Sequence, residues 1–184
     1  MGAWKGFIRG FTAYELMAIG LISALGIASK SIVGPLAHLL TVPIGVPGGA
    51  LAGGFYMMWL VLARSLTDKR GSAVLAGLVQ AIIVLITGSF GSHGALTLIT
   101  YTIPGFACEA FMIPYSRGRE GGLLWCSLGG LAANVAGSVA SNFAFFRLPA
   151  LALGLIVVTA AFSGAAGGAV AFIVNRKLSG ILGR

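Results

Sequence analysis

Between positions 47 and 89 the chain reads PGGALAGGFYMMWLVLARSL (47–66), TDKRG (67–71) and SAVLAGLVQAIIVLITGS (72–89). Two apolar runs are separated by one short charged break, Asp68-Lys69-Arg70-Gly71. About 20 helical residues rise roughly 30 Å, the thickness of a bilayer's hydrocarbon core. Closed β-barrels also satisfy a bilayer, but their strands alternate apolar and polar residues, and these runs are continuous. The stretch reads as a helical membrane hairpin.

The same pattern recurs on either side. Apolar runs near 13–33, 95–115, 122–143 and 150–174 join those at 47–66 and 72–89. The breaks carry loop chemistry: Gly34-Pro35 with Pro43 to Gly49, Gly88 to Gly94, Ser116 to Gly121, and Arg147-Leu148-Pro149. The expectation is an all-α integral membrane protein, a six-transmembrane-helix bundle forming a single membrane domain over 1–184.

Composition excludes the alternatives. Of 184 residues 58% are hydrophobic and 9% charged, with mean hydropathy +0.99. Soluble domains run at about 25% charged, and this chain lacks the charge for a polar skin. Disordered chains are poor in apolar residues, and the 29 glycines follow no Gly-X-Y period. The net charge of +8 is spread in small groups between apolar runs, unlike a nucleic-acid-binding patch. Cys108 and Cys126 fall inside apolar runs and read as buried small residues.

Basic residues orient the expected bundle. Lys5, Arg9, Arg64, Lys69, Arg70, Arg117, Arg119, Arg176, Lys177 and Arg184 gather on one side, against Lys30 and Arg147 on the other. The positive-inside rule then puts both termini in the cytoplasm of a multi-pass cell-membrane protein. Trp4 and Trp125 sit near inner helix ends, where interfacial aromatics belong. His38 and His93 lie in the Gly/Pro/Ser-rich outer segments, with no acidic or cysteine cluster that would make a metal site.

Polar residues inside spans face a bundle interior or a cavity, because lipid cannot satisfy them. Tyr101, Gly105 and Glu109 share one face of the fourth span, and Asn134, Ser138 and Asn142 one face of the fifth. Thr159, Ser163 and Gly167 line up on the sixth. Gln80 and Thr87 mark the third, Tyr56 and Trp59 the second, and Lys30 the outer end of the first. Each has two readings. Small and polar stripes serve helix packing as well as ligand contact. Glu109, the one carboxylate in mid-span, is either functional or a structural hydrogen-bonding group. Lys30 either snorkels to the interface or meets a ligand. Tyr56 and Trp59 either fill the core or stack on a flat ring. The candidate substrate contacts are therefore Glu109, Tyr101, Asn134, Ser138, Asn142, Lys30, Tyr56, Trp59, His93 and Gln80.

No Gly-x-Ser-x-Gly, His-Glu-x-x-His or Walker A motif is present. The reading is of a protein that is not an enzyme, with no cofactor of its own. Any energy it uses comes from a partner or a gradient.

These features together resemble the substrate-binding S-component of an energy-coupling-factor (ECF) vitamin transporter. The similarity spans nearly the whole chain. Its middle is the most specific part: Asp68-Lys69-Arg70-Gly71-Ser72-Ala73, then Thr87-Gly88-Ser89, then Gly105-Phe106-Ala107-Cys108-Glu109-Ala110-Phe111. This arrangement is similar to the YkoE-type S-components associated with thiamine or its hydroxymethylpyrimidine precursor. It departs from them in the third span, where Gly77 and Val84 stand at positions that are acidic in the thiamine binders.

The resemblance implies high-affinity capture of a small vitamin or precursor from outside, and inward release by toppling. The partners would be a transmembrane coupling subunit and two cytoplasmic ATPases, which use the ATP. Ala24-Leu25-Gly26-Ile27-Ala28 resembles the Ala-x-x-x-Ala with which S-components dock on that subunit. Gly20, Ala24 and Ala28 share that face at four-residue spacing. The alternatives are an S-component for another heterocyclic compound, a small self-sufficient transporter, and a structural membrane subunit.

Overall fold

The computed structural model describes residues 10–41, 48–88, 94–118 and 120–181. They form six α-helices: α1 (Ala13–Thr41), α2 (Gly48–Thr67), α3 (Ser72–Thr87), α4 (Leu96–Phe111), α5 (Gly122–Ser141) and α6 (Ala150–Ile181). A π-helical turn, Asn142–Phe146, extends α5. By length and composition four of these helices can cross a membrane: α1, α2, α5 with its extension, and α6. The 16-residue α3 and α4 are apolar but shorter, rising about 24 Å at 1.5 Å per residue.

Several ends differ from the sequence reading. Gly34-Pro35 does not break α1, which carries Pro35 inside it and runs on to Thr41. Proline costs a helix one N–H bond, and a helix among neighbours in a membrane tolerates that loss. The last helix continues past residue 174 to Ile181, since Arg176 and Lys177 are good helix formers. The fourth ends earlier, at Phe111, and a turn leads into Pro114. His38 lies in α1, while His93, Trp4, Lys5, Arg9, Arg119 and Arg184 lie outside the described residues.

The bundle inverts the soluble pattern. Arg64, Ser23, Thr97 and Asn134 are fully buried, while Ile86, Leu151 and Phe162 are among the most exposed side chains. An apolar skin over a partly polar interior is what a lipid solvent requires. Close backbone approach holds the interior together. A Cβ on Gly77 would sit 2.6 Å from the Tyr101 carbonyl, and one on Gly105 2.7 Å from the Ala73 carbonyl, so α3 and α4 meet through glycine. A Cβ on Gly164 would lie 2.5 Å from the Gly130 carbonyl, and Gly167 backs directly onto Gly54. Those contacts make a small-residue seam joining α2, α5 and α6.

The helices alternate in direction, so six helix ends meet at one pole. Lys69 Nζ lies 2.8 Å from Glu15 Oε2, joining the start of α1 to the α2–α3 turn. Asp68 Oδ2 accepts the Arg117 N–H at 3.1 Å, and Asn175 Nδ2 donates to the Ser65 carbonyl at 3.3 Å. This basic pole opposes the end where α1 carries Lys30.

Candidate functional site

Packing of α1 against its neighbours builds a polar cluster in the half of the bundle away from the basic pole. Gly26 of α1 lets α2 and α3 come close: a Cβ there would lie 3.0 Å from Trp59 Cγ and 3.2 Å from Gln80 Nε2. One turn further along the same face of α1, Lys30 reaches inward. Its ammonium donates a hydrogen bond to the Tyr101 hydroxyl. It also lies 4.2 Å from the Tyr101 ring centroid and 5.1 Å from that of Tyr56, within cation–π range. Phe55 braces this wall, meeting Trp59 edge-on at 6.2 Å and Tyr56 at 6.3 Å between centroids.

The structure thus brings together Lys30, Tyr56, Trp59, Gln80 and Tyr101, contributed by four helices. Lys30 lies between two tyrosines instead of extending to solvent. Two donors here have no acceptor: Trp59 Nε1 and Gln80 Nε2 are buried and without a hydrogen-bond partner. Buried polar atoms in native proteins are almost always paired, so such orphans mark a place where a ligand or water completes the shell. Flat aromatic walls with convergent polar groups are the usual lining of a small-molecule site.

The other sequence candidates lie elsewhere. Glu109 sits near the basic pole, where its Oε1 accepts the Ala73 N–H at 2.7 Å and Oε2 lies 3.2 Å from Arg64 Nε. Asn134 is buried between three helices and donates to the Ala50 and Ala160 carbonyls at 3.2 and 2.9 Å. Asn142 Oδ1 accepts the Leu148 N–H at 3.0 Å, closing the turn into α6. Ser138 is half-buried on α5. His93 falls outside the described residues.

Ser163, on the α6 stripe, accepts the Gly54 N–H at 3.0 Å and donates to the Leu51 carbonyl. The α6 stripe is a packing element.

Arg64 is the residue that sequence reasoning missed. It is 2% exposed and donates to the Met112 and Tyr115 carbonyls at 3.5 and 3.4 Å. Asp68 lies 3.6 Å from it. The available signal was its place inside an apolar run, four residues before an aspartate. The docking candidates Ala24 and Ala28 are exposed, and a Cβ on Gly20 would meet nothing within 4 Å.

An apolar-skinned bundle with one basic pole and an inward polar cluster in its other half defines a small multi-pass membrane protein. The chain belongs to the family described as ABC-type cobalt transport system, permease component, whose model matches residues 14–136. Its fold is similar to that of a solved chain titled "Crystal structure of an S-component of ECF transporter", at TM-score 0.76 and 18% identity. The similarity covers 92% of this chain and 86% of that one. No curated protein matches.

Proposed function

We propose that this chain is the substrate-binding S-component of an ECF-type importer, taking up a small heterocyclic vitamin or precursor at the Lys30–Tyr56–Trp59–Gln80–Tyr101 cluster. The single observation that carries this reading is that cluster, with its orphan donors, in a bundle of S-component fold. In this reading both termini are cytoplasmic and all six helices cross the bilayer. A coupling subunit docks on the Gly20–Ala24–Ala28 face, and two ATPases drive the toppling that releases the ligand inward.

Thiamine or its hydroxymethylpyrimidine precursor is the ligand that the sequence resemblance names. The aminopyrimidine ring suits the cluster, where Tyr56 and Trp59 offer aromatic faces and Gln80 an amide. Glu109 is already occupied by Arg64 and the Ala73 N–H, so the pyrimidine half carries this match and the cationic thiazolium does not. The family's description names cobalt. Among the described residues no group of three His, Cys, Asp or Glu side chains gathers, and the cluster is itself cationic, which favours an organic ligand over a metal ion.

Mass spectrometry of small molecules released from the purified protein tests the reading. A ring compound retained by the wild type and lost from Tyr101→Phe with Trp59→Ala is the expected result. Ligand-free protein that takes up none of a set of heterocyclic vitamins would overturn it, leaving a structural subunit. Uptake by this chain alone in liposomes would favour a self-sufficient transporter.

A further inference from the structure

The chain contains four carboxylates, Glu15, Asp68, Glu109 and Glu120, and all four belong to the basic pole. Glu15 pairs with Lys69, Asp68 and Glu109 pair with Arg64, and Glu120 adjoins Gly121, the N-cap of α5. None is at the other end, where Lys30 extends over Tyr56 and Tyr101. The ammonium of Lys30 is therefore held by one hydroxyl and two ring faces, with no counter-charge beside it among the described residues. Its neighbours add to the imbalance. Trp59 Nε1 and Gln80 Nε2 are buried donors lacking acceptors, and Gln80 is 6% exposed. Tyr101, accepting from Lys30, keeps its own proton to give.

A cation inside a membrane bundle is costly unless paired. Here the positive charge of Lys30 on Tyr101 and the unpartnered donors of Trp59 and Gln80 lie on adjoining turns around α1, with no anionic oxygen from the described residues among them. We propose that the substrate carries a carboxylate or a phosphate ester on its ring, and that Lys30 and Tyr101 bind that group while Trp59 and Gln80 hydrogen-bond the ring's acceptors. This rests on reading the cluster as the substrate site. It goes further by naming the charge of what enters. A cationic ligand would place like charge beside Lys30 and bring no anionic oxygen to offset it. Recognition by a charged, hydrogen-bonding pair also discriminates strongly, because an analogue without the anion leaves buried donors unpaired.

The experiment uses matched ring pairs that differ only in the anionic group. Pyridine-3-carboxylate is compared with pyridine-3-carboxamide, and hydroxymethylpyrimidine phosphate with hydroxymethylpyrimidine; thiamine serves as the cationic arm. Each is titrated calorimetrically into the purified full-length protein, alongside mass spectrometry of the compound released on denaturation. The expected result is that the anionic member of at least one pair binds tenfold or more tightly than its partner, or that the released compound bears a carboxylate or phosphate. Lys30→Met should lower that affinity at least tenfold, while Lys30→Arg retains most of it. If Lys30→Met fails to fold, by loss of its melting transition, Tyr101→Phe provides the second reading. Tightest binding of thiamine or of a neutral partner, or anion binding indifferent to Lys30→Met, overturns this proposal and leaves the substrate-binding role standing. No binding by any probe and no released compound overturns both.

Discussion

Glu109 Oε2 lies 3.2 Å from Arg64 Nε, and the other carboxylate oxygen accepts the Ala73 N–H at 2.7 Å. One side chain of α4 thus ties the last turn of α2 to the first turn of α3. The interaction with α3 has two sources of strength: an orphan N–H of a helix N-terminus is satisfied, and negative charge meets the positive end of the helix dipole. Arg64 needs this partner, since it is 2% exposed and a guanidinium cannot shed its proton to suit an apolar site.

Glu109→Gln is therefore expected to act on stability. Removing one member of a buried pair costs about 3 kcal/mol, because the remaining charge stays buried; Asp68 at 3.6 Å retains part of the compensation. Thermal unfolding in detergent should show a lowered midpoint, and calorimetry an unchanged ligand affinity. A double-mutant cycle with Arg64→Met should give a coupling energy above about 1 kcal/mol, as expected for residues in one network. Weakened binding at unaltered stability would return Glu109 to the substrate site.

The glycine seam makes a second stability prediction, with its control built in. A Cβ on Gly164 would lie 2.5 Å from the Gly130 carbonyl and 2.8 Å from Asn134 Cβ. Backbone cannot rotate away, so Gly164→Ala should cost on the order of 1–3 kcal/mol through overpacking. Gly20→Ala meets nothing within 4 Å and should be neutral or stabilising by up to about 1 kcal/mol, the helix-propensity difference. Equal melting points for the two variants would show that α5 and α6 separate easily.

What the sequence made legible follows from helical periodicity. Tyr101, Gly105 and Glu109 were expected on one face, and that face packs on α3, with Gly105 against Ala73 and Glu109 on the Ala73 N–H. Periodicity does not say which helix a face meets. That Lys30 reaches Tyr101, 71 positions away, depends on α1 packing against α2 and α3 while α3 packs against α4, an arrangement no local pattern encodes. Asn134 and Ser163 were ambiguous for a chemical reason, since the side chains that line a pocket also bind helix backbones. The positive-inside count groups Arg64 with the cytoplasmic-side charges, because a basic residue near a span's end looks the same whether it faces water or carboxylates.

Orientation has a direct measurement. With both termini inside, a cysteine at position 38 should react with an impermeant reagent applied from outside, and one at position 69 should not, in a background where Cys108 and Cys126 are serine. Those two cysteines are buried and free, so their replacement removes the internal labelling background. The reverse pattern would put the basic pole outside, against the positive-inside bias of ten residues to two.

One face of α1 is lined by small residues that no other described helix covers. Ala24 and Ala28 are exposed, and Gly20 has open space before it. On either side Met17, Leu21, Leu25 and Ile32 are exposed large side chains of the kind that face lipid. A strip of small residues between such flanks gains nothing against lipid, but lets another helix approach to backbone contact. In the S-component reading that helix belongs to the coupling subunit. Ala24→Leu with Ala28→Leu fills the strip without touching the interior, so the melting point and ligand affinity of the purified protein should be unchanged. Uptake by cells that make the whole transporter should fall at least tenfold, and the partner subunits should no longer co-purify. Full uptake with both leucines in place would assign this face to lipid alone. A parallel loss of ligand binding would instead mean that the face supports the fold of α1 around Gly26 and Lys30.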